Sequence, residues 1–376
     1  MKPFDFEGAL PASKSLFNRW AVVGSFEAKL KLLGDSNCHD VVRMKSALTA
    51  LAKGEAMDCG EAGTVLRFLA FRAARVPGRH RLIGHPRLFA RPQAELVELL
   101  GAVGVKATLS ENELMIEGSG WQKPAGPIKV RRERSSQFLS GFVLSAWDLP
   151  FALPLELEGE AVSESYWKMT RAVVLRAGMK LSGGRPGSFE VLPRQRVRYE
   201  TIDVEPDLSS AFAVAALAAR GGRAWIKNFP ETSLQPDRVF PDLLKSMGFR
   251  VDRKREGGLE FRGPEAGLRA IEADLRETPD LFPVLAVLGA LAEGRTRLFG
   301  APHLRHKESD RVAATASLLA DLGIESQARD DGLELTGPVA PSSATEVEVD
   351  AHGDHRIVMA AWVLKRAGFA LRVRGE

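Results

Sequence analysis

The chain has 376 residues, of which 45% are hydrophobic and 27% are charged, and its formal net charge is +4. This length favours two or three domains with their own cores, and the composition excludes a disordered or fibrous protein. Basic and acidic residues are mixed along the chain, without the basic stripe and interleaved aromatic residues that are typical of nucleic-acid binding.

The cysteines and the apolar stretches bear on the cell compartment. The two cysteines, Cys38 and Cys59, form no CxxC motif, so reduced thiols and a cytoplasmic setting are expected. Residues 1–8 carry no signal-peptide core. The most apolar stretch, Leu281–Ala292, contains a proline and is shorter than the ~20 residues that span a bilayer.

A first amphipathic helix is predicted to begin near Ser15, in the stretch LPASKSLFNR. Apolar residues then recur at helical spacing, Ser13 or Ser15 can cap the helix, and Gly24 ends it. The free N–H groups of a helix start favour an anion, and Lys14 and Arg19 add positive charges there. The same pattern also fits a capped surface helix with solvated basic side chains.

Four later stretches repeat one pattern, in which an amphipathic helix, a glycine, a strand, a turn and a second strand follow one another. The equivalent glycines lie at nearly equal intervals and are Gly104, Gly178, Gly248 and Gly323. Each is predicted to take a left-handed conformation where its helix ends. A regular interval of this length indicates a repeated structural unit.

Further helices lie between these stretches and are predicted to be buried except at their N-termini. Each opens with small, polar or acidic residues and then becomes strongly apolar. They are expected at Gly63–Ala74, Ser136–Ala146, Asp207–Ala219, Asp280–Ala292 and Asp354–Lys365. Capping explains any single opening, but several also carry Arg, Lys or paired Ser, which core packing does not require. We therefore expect an α/β protein of about six repeated units in two lobes with a cleft between them.

Eight motifs resemble, in the same order, those of the EPSP synthase (3-phosphoshikimate 1-carboxyvinyltransferase) family of enolpyruvyl transferases. They read LPASKSLFNR, GEAGTVLRFL, PRLFARP, SSQFLSGFVLSA, VEPDLSSAFAVAA, TPDLFPVLAVLGALAEG, LRHKESDR and GDHRIVMA. The resemblance implies a two-lobed fold with three βαβαββ units in each lobe. One lobe would comprise residues 13–205 and bind mainly shikimate 3-phosphate, and the discontinuous second lobe would comprise residues 1–12 and 206–376.

The resemblance also implies an activity and its conditions. The family transfers the enolpyruvyl group of phosphoenolpyruvate to the 5-hydroxyl of shikimate 3-phosphate by addition and elimination, in the shikimate pathway to aromatic amino acids. No metal or organic cofactor is expected. The expected partners are these two small molecules, without nucleic acid or membrane, and the protein is expected to be a cytoplasmic monomer that glyphosate inhibits.

By the same resemblance, matching positions acquire substrate-binding roles. The residues expected to hold phosphoenolpyruvate are Lys14, Gly63, Arg91, Arg311 and Arg356. The residues expected to hold shikimate 3-phosphate are Ser15, Arg19, Ser135, Ser136, Gln137, Ser163, Tyr166, Asp280 and Lys307. Arginine suits such ligands because its planar fork pairs bidentately with phosphate and carboxylate groups.

Two carboxylates in the second lobe are the candidates for proton transfer. Asp280 is expected to take the proton of the substrate hydroxyl, and Glu308 to move the methylene proton, with Lys14 as a competing candidate for the second role. Without the resemblance, an N-cap explains Asp280, and an ion pair with Arg311 explains Glu308.

Two HxxH pairs, in residues 303–306 and 352–355, raise the question of a metal site. Neither pair has a third ligand cluster or matches HExxH, so no metal is predicted.

The sequence departs from the family pattern at three places. Glu61 stands where the family usually has Asn, which places a carboxylate near the phosphoenolpyruvate pocket unless it turns away or pairs with Arg67. His303 replaces an Asn that touches the substrate phosphate in other members. The given sequence ends at LRVRGE, before the family's AKS-[FY]-P segment, so either the chain continues further or one cation of the site is absent.

Two other functions stay open. UDP-N-acetylglucosamine 1-carboxyvinyltransferase shares the fold, but it typically has Asn at the position of Ser15 and a Cys in the loop that here spans Arg87–Arg91. A catalytically lapsed anion-binding relative is the alternative outside enzymes.

Overall fold

A computed structural model of the chain describes residues 2–198, 200–341 and 345–374. The helices are α1 (Lys14–Gly24), α2 (His39–Lys53), α3 (Gly63–Ala73), α4 (Pro86–Ala90), α5 (Ala94–Ala102), α6 (Gln137–Leu144), α7 (Glu164–Arg176), α8 (Leu208–Ala216), α9 (Phe240–Ser246), α10 (Phe282–Ala290), α11 (Arg311–Asp321) and α12 (His355–Arg366). Short 3-10 turns occur at Pro236–Val239, Pro279–Leu281 and Pro302–His306.

The strands of the first half are β1 (Phe4–Gly8), β2 (Lys31–Leu33), β3 (Met57–Asp58), β4 (Gly78–Ile83), β5 (Lys106–Leu109), β6 (Glu113–Gly118), β7 (Ile128–Arg131), β8 (Leu153–Glu158), β9 (Leu181–Arg185) and β10 (Ser188–Val191). Those that follow are β11 (Thr201–Asp203), β12 (Gly222–Ile226), β13 (Arg250–Arg253), β14 (Leu259–Arg262), β15 (Leu268–Arg269), β16 (Glu272–Asp274), β17 (Ala292–Phe299), β18 (Ser326–Arg329), β19 (Gly332–Gly337), β20 (Val347–Val349) and β21 (Leu371–Val373).

The chain forms two compact units, one of Pro11–Glu205 and one of Met1–Leu10 with Pro206–Glu376. The first boundary falls after Leu10, two residues before the position expected from the sequence. Backbone hydrogen bonds explain the difference, because Ala12 N donates to Asp35 O at 2.9 Å and so ties Ala12 to the unit of Pro11–Glu205. Leu10 N instead donates to Asn228 Oδ1, at 2.9 Å, in the discontinuous unit.

Within Pro11–Glu205, two four-stranded sheets have equivalent strand orders, β3-β4-β6-β5 and β7-β8-β10-β9. In each sheet the first two strands are parallel and the hairpin that follows adds antiparallel strands. A further parallel pair joins β2 to β11. Among the described residues of this unit, the pattern of a parallel pair followed by a hairpin therefore occurs in full in two sheets. The third sheet, of β2 and β11, has only the parallel pair.

The discontinuous unit of Met1–Leu10 and Pro206–Glu376 repeats the same pattern. One sheet has the order β1-β12-β14-β13, and another has β15 and β16 beside β17, followed by β19 and β18. Strands β20 and β21 form a parallel pair. The expected mixed α/β class is confirmed, although two of the six sheets formed by the described residues lack the hairpin that six equal units would have.

The short connection after α2 explains the reduced sheet of Pro11–Glu205. Helix α2 ends at Lys53 and β3 begins at Met57, so residues 54–56 leave no room for two further strands. In the four stretches that carry the repeated pattern, a helix is followed by a hairpin in every case. The predicted left-handed glycines are confirmed, with φ between 71° and 103° at all four positions.

Buried helices form the core of each unit. Every residue of α10 is buried, as its uniformly apolar sequence predicts. In Pro11–Glu205, α3 packs against α6, and α6 packs against α7. The predicted helix bounds hold to within a few residues, except that a 3-10 turn over Pro279–Leu281 precedes α10. Within the described residues, no helix is both long and apolar enough to cross a membrane.

Candidate active site

In Pro11–Glu205, the residues predicted to bind substrate lie at or near the starts of four helices that pack together. Helix α1 contacts α3, α6 and α7. Ser13 caps α1, because its Oγ accepts from Leu16 N at 3.5 Å, and Ser15 follows in the first turn. Lys14 is the first residue of α1, and its Nζ lies 3.4 Å from Asp40 Oδ2.

Arg19 is buried within this group of helices. Its Nε donates to Thr170 Oγ1 at 2.7 Å, and its two other nitrogens donate to the carbonyl oxygens of Ser15 and Tyr166. Burial lowers the pKa of Arg19 to about 10. The guanidinium therefore remains charged near neutral pH and joins the start of α1 to the first turns of α7.

Gly63 and Arg91 form the clearest anion-binding geometry in this unit. Gly63 begins α3, and the capping residue Ala62 has no side chain that could accept from the first N–H groups. A Cβ on Gly63 would lie 2.9 Å from Arg91 Nη1, so the guanidinium is placed directly beside the helix start. Arg91 Nε is buried and has no hydrogen-bond partner among the described residues. The first N–H groups of a helix, next to an arginine, favour a phosphate or carboxylate.

Helices α6 and α7 present the remaining predicted residues of the unit. Ser135 Oγ accepts from Gln137 N at 3.2 Å, which orders the turn before α6, and Ser136 is its capping residue. Ser163 precedes α7 with φ of 52°, a conformation that is uncommon for a serine. Tyr166 lies in the first turn of α7, and its carbonyl oxygen accepts from Arg19.

In the unit of Met1–Leu10 and Pro206–Glu376, Arg311 gathers three carboxylates. Its Nη1 donates to Asp280 Oδ1 at 2.6 Å, its Nη2 to Glu308 Oε2 at 3.2 Å, and its Nε to Asp354 Oδ2 at 2.8 Å. Burial opposes the charge of Arg311, but these carboxylates raise its pKa well above the ordinary value. Arg311 thus fixes both carboxylates that are predicted to transfer protons.

Asp280 is shared between two arginines of this unit. Its Oδ2 accepts from Arg356 Nη2 at 3.2 Å, while its Oδ1 accepts from Arg311. Asp280 is not an N-cap, because Thr278 is the capping residue of the 3-10 turn that contains it and Leu281 is that of α10. Arg356 Nε is buried and has no partner among the described residues. Asp354, the cap of α12, orients the start of the helix by accepting from Arg356 N at 2.9 Å.

His303 lies close to this group and is buried, with 6% of its surface exposed. Neither ring nitrogen has a hydrogen-bond partner among the described residues. Burial, followed by the positive charge of Lys307, lowers the pKa of His303 to about 3. The ring is therefore neutral near pH 7 and can donate one hydrogen bond and accept another.

Glu61, one of the departures from the family pattern, turns away from Arg67. Its carboxylate lies 3.5 Å from His85 Nδ1, and half of the side chain is exposed. Arg67 is instead hydrogen-bonded to Gln93, Gln137 and the carbonyl oxygen of Pro92. The extra carboxylate thus faces solvent and His85.

The sequence did not indicate one buried acid of the discontinuous unit. Asp237 is buried and accepts a hydrogen bond from Ser209 Oγ, while its Oδ1 has no partner among the described residues. Burial, and then the negative charge of Asp280, raise the pKa of Asp237 to about 7. In the stretch QPDRVF the acid stands between a proline and an arginine, so no sequence pattern distinguishes it from an exposed aspartate.

The described residues contain no group of three or more His, Cys, Asp or Glu side chains that could hold a metal ion. The groups that could bind a ligand are cations at helix starts, together with carboxylates held by arginines. Such a set is suited to anionic substrates and to proton transfer at a hydroxyl.

Two solved structures have this fold over the whole chain. An EPSP synthase from Acinetobacter baumannii superposes with a TM-score of 0.73 and 21% identity, covering 100% of this chain and 92% of its own. The enolpyruvyl transferase NikO from Streptomyces tendae superposes with a TM-score of 0.73 and 17% identity, covering 100% of this chain and 91% of its own. The fold is thus that of the enolpyruvyl transferases.

Sequence comparison identifies the family to which the chain belongs among proteins of this fold. The model of the EPSP synthase (3-phosphoshikimate 1-carboxyvinyltransferase) family matches residues 25–372. A 3-phosphoshikimate 1-carboxyvinyltransferase from Methanocorpusculum labreanum is 34% identical over 313 residues, which cover 83% of this chain and 72% of the relative. The chain belongs to the EPSP synthase family, and the resemblance inferred from its motifs is confirmed.

Proposed function

We propose that the protein transfers the enolpyruvyl group of phosphoenolpyruvate to the 5-hydroxyl of shikimate 3-phosphate, forming 5-enolpyruvylshikimate 3-phosphate and phosphate. The observation that carries this proposal is the position of Asp280 between the buried arginines Arg311 and Arg356. A base held beside two cations suits a reaction in which a hydroxyl loses its proton next to anionic groups. The relatives that carry this name support the same reaction.

In the proposed mechanism, Asp280 accepts the proton of the 5-hydroxyl, and the oxygen of that hydroxyl bonds to C2 of phosphoenolpyruvate. The methylene carbon gains a proton from Glu308 or from Lys14, which gives a tetrahedral intermediate. Loss of a proton from the resulting methyl group and departure of phosphate then restore the double bond. The arginines balance the charge that develops, and Arg311 and Arg356 are already held by carboxylates of their own unit.

We assign substrate contacts by the geometry of each unit. In Pro11–Glu205, the start of α3 with Arg91 suits an anionic group of phosphoenolpyruvate, and Ser135, Ser136 and Gln137 suit shikimate 3-phosphate. In the other unit, Arg311 and Arg356 are the further cations for phosphoenolpyruvate. We also assign Lys307 and the His303 ring, which is neutral near pH 7, to the shikimate compound.

The proposal is tested by phosphate release from the purified protein with both substrates. Turnover with shikimate 3-phosphate, but not with shikimate or UDP-N-acetylglucosamine as the acceptor, is the expected result. Tight binding of shikimate 3-phosphate without turnover would instead identify a lapsed anion-binding relative. Turnover with UDP-N-acetylglucosamine would assign the other transferase activity.

The proposal includes a monomer that acts in the cytoplasm on these small molecules. Sedimentation of the active protein at micromolar concentration is expected to give one species of 41.0 kDa. An active species of twice that mass would contradict this part of the proposal.

A further inference from the structure

Arg67 lies one turn after the start of α3 and is buried, with 4% of its surface exposed. Its Nη1 donates to Gln137 Oε1 at 2.7 Å, its Nε to Gln93 Oε1 at 3.1 Å, and its Nη2 to Pro92 O at 3.1 Å. The guanidinium also lies over the ring of Phe138, 4.6 Å from its centre. Such a set of contacts holds the side chain in one orientation.

The contact with Arg67 determines which end of the Gln137 amide faces which neighbour. Because arginine can only donate, the atom that meets Nη1 must be the carbonyl oxygen of Gln137. The amide nitrogen is consequently turned toward Thr64, and Nε2 donates to Thr64 Oγ1 at 3.1 Å. An amide nitrogen has two N–H groups, so Gln137 retains a second donor. Phosphate, carboxylate and hydroxyl oxygens of an anionic substrate are acceptors, and they require this orientation.

Arg67 also holds the chain next to Arg91. The acceptor Pro92 O belongs to the residue that directly follows Arg91, and Gln93 Nε2 in turn donates to Leu88 O at 3.0 Å. The loop that presents Arg91 is thereby fixed to α3, whose first residue, Gly63, lies against the Arg91 guanidinium. One buried side chain thus connects the start of α3, the Arg91 loop and the start of α6.

We infer that Arg67 is a positioning residue, which touches no substrate but sets the Gln137 amide as a hydrogen-bond donor and fixes the loop of Arg91. This inference rests on the proposed function, since it assigns Arg67 a role in binding the substrates of that reaction. Arg67 acts on shikimate 3-phosphate through Gln137 and on phosphoenolpyruvate through Arg91. Lysine cannot replace it, because a single ammonium cannot reach three acceptors in the plane of a guanidinium.

The test is a double-mutant cycle between Arg67→Lys and Gln137→Ala, with the dissociation constant of shikimate 3-phosphate as the readout. Arg67→Lys is expected to raise this constant about tenfold when Gln137 is present, and less than twofold when it is replaced. The KM for phosphoenolpyruvate should also rise in the Arg67→Lys variant. Equal effects of Arg67→Lys in both backgrounds, or wild-type affinity in the single variant, would overturn the inference.

Arg75→Lys is the matched control, because Arg75 follows α3 and donates to the carbonyl oxygens of Ser145 and Trp147 just after α6. This substitution removes hydrogen bonds that connect the C-terminal ends of α3 and α6, whereas Arg67 connects their N-terminal ends. We expect a loss of thermal stability with unchanged substrate affinity. If Arg75→Lys weakens shikimate 3-phosphate binding as much as Arg67→Lys does, the effect is general and the positioning role is wrong.

Gln137→Glu keeps the inference testable if Arg67→Lys does not fold. A glutamate preserves the contact with Arg67 but offers oxygen where the amide offered N–H. The dissociation constant of shikimate 3-phosphate should rise at least tenfold while the thermal midpoint is maintained, and wild-type affinity would contradict the orientation argument. A wild-type protein that does not bind shikimate 3-phosphate would instead refute the proposed function, so the two failures are distinguishable.

Discussion

At the scale of single residues, the buried arginines of this protein differ in what they bind. Arg311 is in contact with three carboxylates, whereas Arg19 donates to a hydroxyl and two carbonyl oxygens. Arg91 and Arg356 each keep a buried Nε that has no partner among the described residues. Arg311 and Arg19 therefore orient protein groups in addition to their proposed contacts with substrate, whereas Arg91 and Arg356 each keep a donor that a substrate anion could accept from.

Gly63→Ala is expected to raise the KM for phosphoenolpyruvate and the inhibitory concentration of glyphosate by at least tenfold. The added Cβ would lie 2.9 Å from Arg91 Nη1, so the guanidinium must move away from the start of α3. Steady-state kinetics with and without glyphosate measure both effects. Gly101→Ala in α5 is the control, because its Cβ would have no atom within 4 Å. Unchanged inhibition of the Gly63→Ala variant would refute the steric argument.

Asp237→Asn is expected to change how stability depends on pH. The folded protein holds the Asp237 proton up to about pH 7, whereas an unfolded chain releases it near pH 4. Between these values the folded state binds more protons, so this group makes the free energy of unfolding fall as pH rises. Burial is the main cause of the raised pKa; among the neighbours, Asp280 and Asp207 raise the pKa further, and Arg356 and Ser209 lower it.

Urea unfolding of wild type and Asp237→Asn between pH 4 and pH 8 measures this effect. As the pH rises, the free energy of unfolding of the variant should increase relative to that of the wild type by roughly 2–4 kcal/mol, because each unit of pKa shift corresponds to about 1.4 kcal/mol. Asp242→Asn serves as the control, since its side chain is 81% exposed. Parallel curves for wild type and Asp237→Asn would show that Asp237 is ionised throughout.

The residues of the candidate site were predictable from the sequence only where a motif named them. Asp280, Arg311 and Arg356 were assigned by resemblance, and their roles stay predictions, although the structure shows Asp280 in contact with both arginines. Arg67 was considered only as a partner of Glu61, because no sequence pattern shows which amide an arginine orients. Asp237 was missed, since the effect of its charge arises from burial among elements that are distant along the chain.

At the scale of secondary structure, close helix packing in Pro11–Glu205 depends on one glycine. A Cβ on Gly141 of α6 would lie 2.8 Å from Phe71 Cδ2 and 3.0 Å from Arg67 O, both in α3. The two helices therefore approach each other at a position that only glycine fits. Because α3 and α6 carry Gly63 and Gln137 at their starts, this approach also sets the spacing within the candidate site.

Gly141→Ala is accordingly expected to lower the free energy of unfolding by about 1–3 kcal/mol, the usual cost of overpacking. Since helix propensity alone would make the change favourable by up to about 1 kcal/mol, the sign of the result is informative. Urea unfolding measures it, and Gly101→Ala is again the control. A variant as stable as the wild type would mean that α3 and α6 can separate without loss.

Most of these elements could be predicted because local signals agree with the fold. The helix starts follow from small and acidic residues before apolar runs, and the left-handed glycines follow from their place after each helix. The two sheets without a hairpin were not predicted, because the repeated pattern was assumed to be equal in all units. For the sheet of β2 and β11, the sequence signal was the short segment 54–56, which has no room for a hairpin between α2 and β3.

At the scale of the whole molecule, the unit of Pro11–Glu205 begins and ends at the same place. Ser13 N donates to Glu205 O at 2.7 Å, and β2 pairs with β11 close by. The other unit needs its N-terminal segment, because β1 pairs with β12 along its whole length. Leu10 is held there by two hydrogen bonds with the Asn228 side chain, both of 2.9 Å.

Residues 11–205 expressed alone are therefore expected to fold and to unfold cooperatively in urea, as judged by circular dichroism. Residues 206–376 alone lack β1, which leaves the edge of β12 unpaired, and such edges promote aggregation. Size-exclusion chromatography should show this fragment in large species. A monomeric, cooperative fragment 206–376 would show that β1 is dispensable, and a non-cooperative fragment 11–205 would show that this unit is not independent.

The pairing of β2 with β11 also determines the order in which the unit can form during synthesis. Lys31 pairs with Thr201, so this contact cannot exist until almost all of the unit has left the ribosome, whereas hairpins such as β5–β6 form locally. Helix α1 is made early, but its partners α6 and α7 follow much later. Arg19 is thus among the first candidate site residues to be synthesised, but its contacts with Tyr166 and Thr170 are among the last to form.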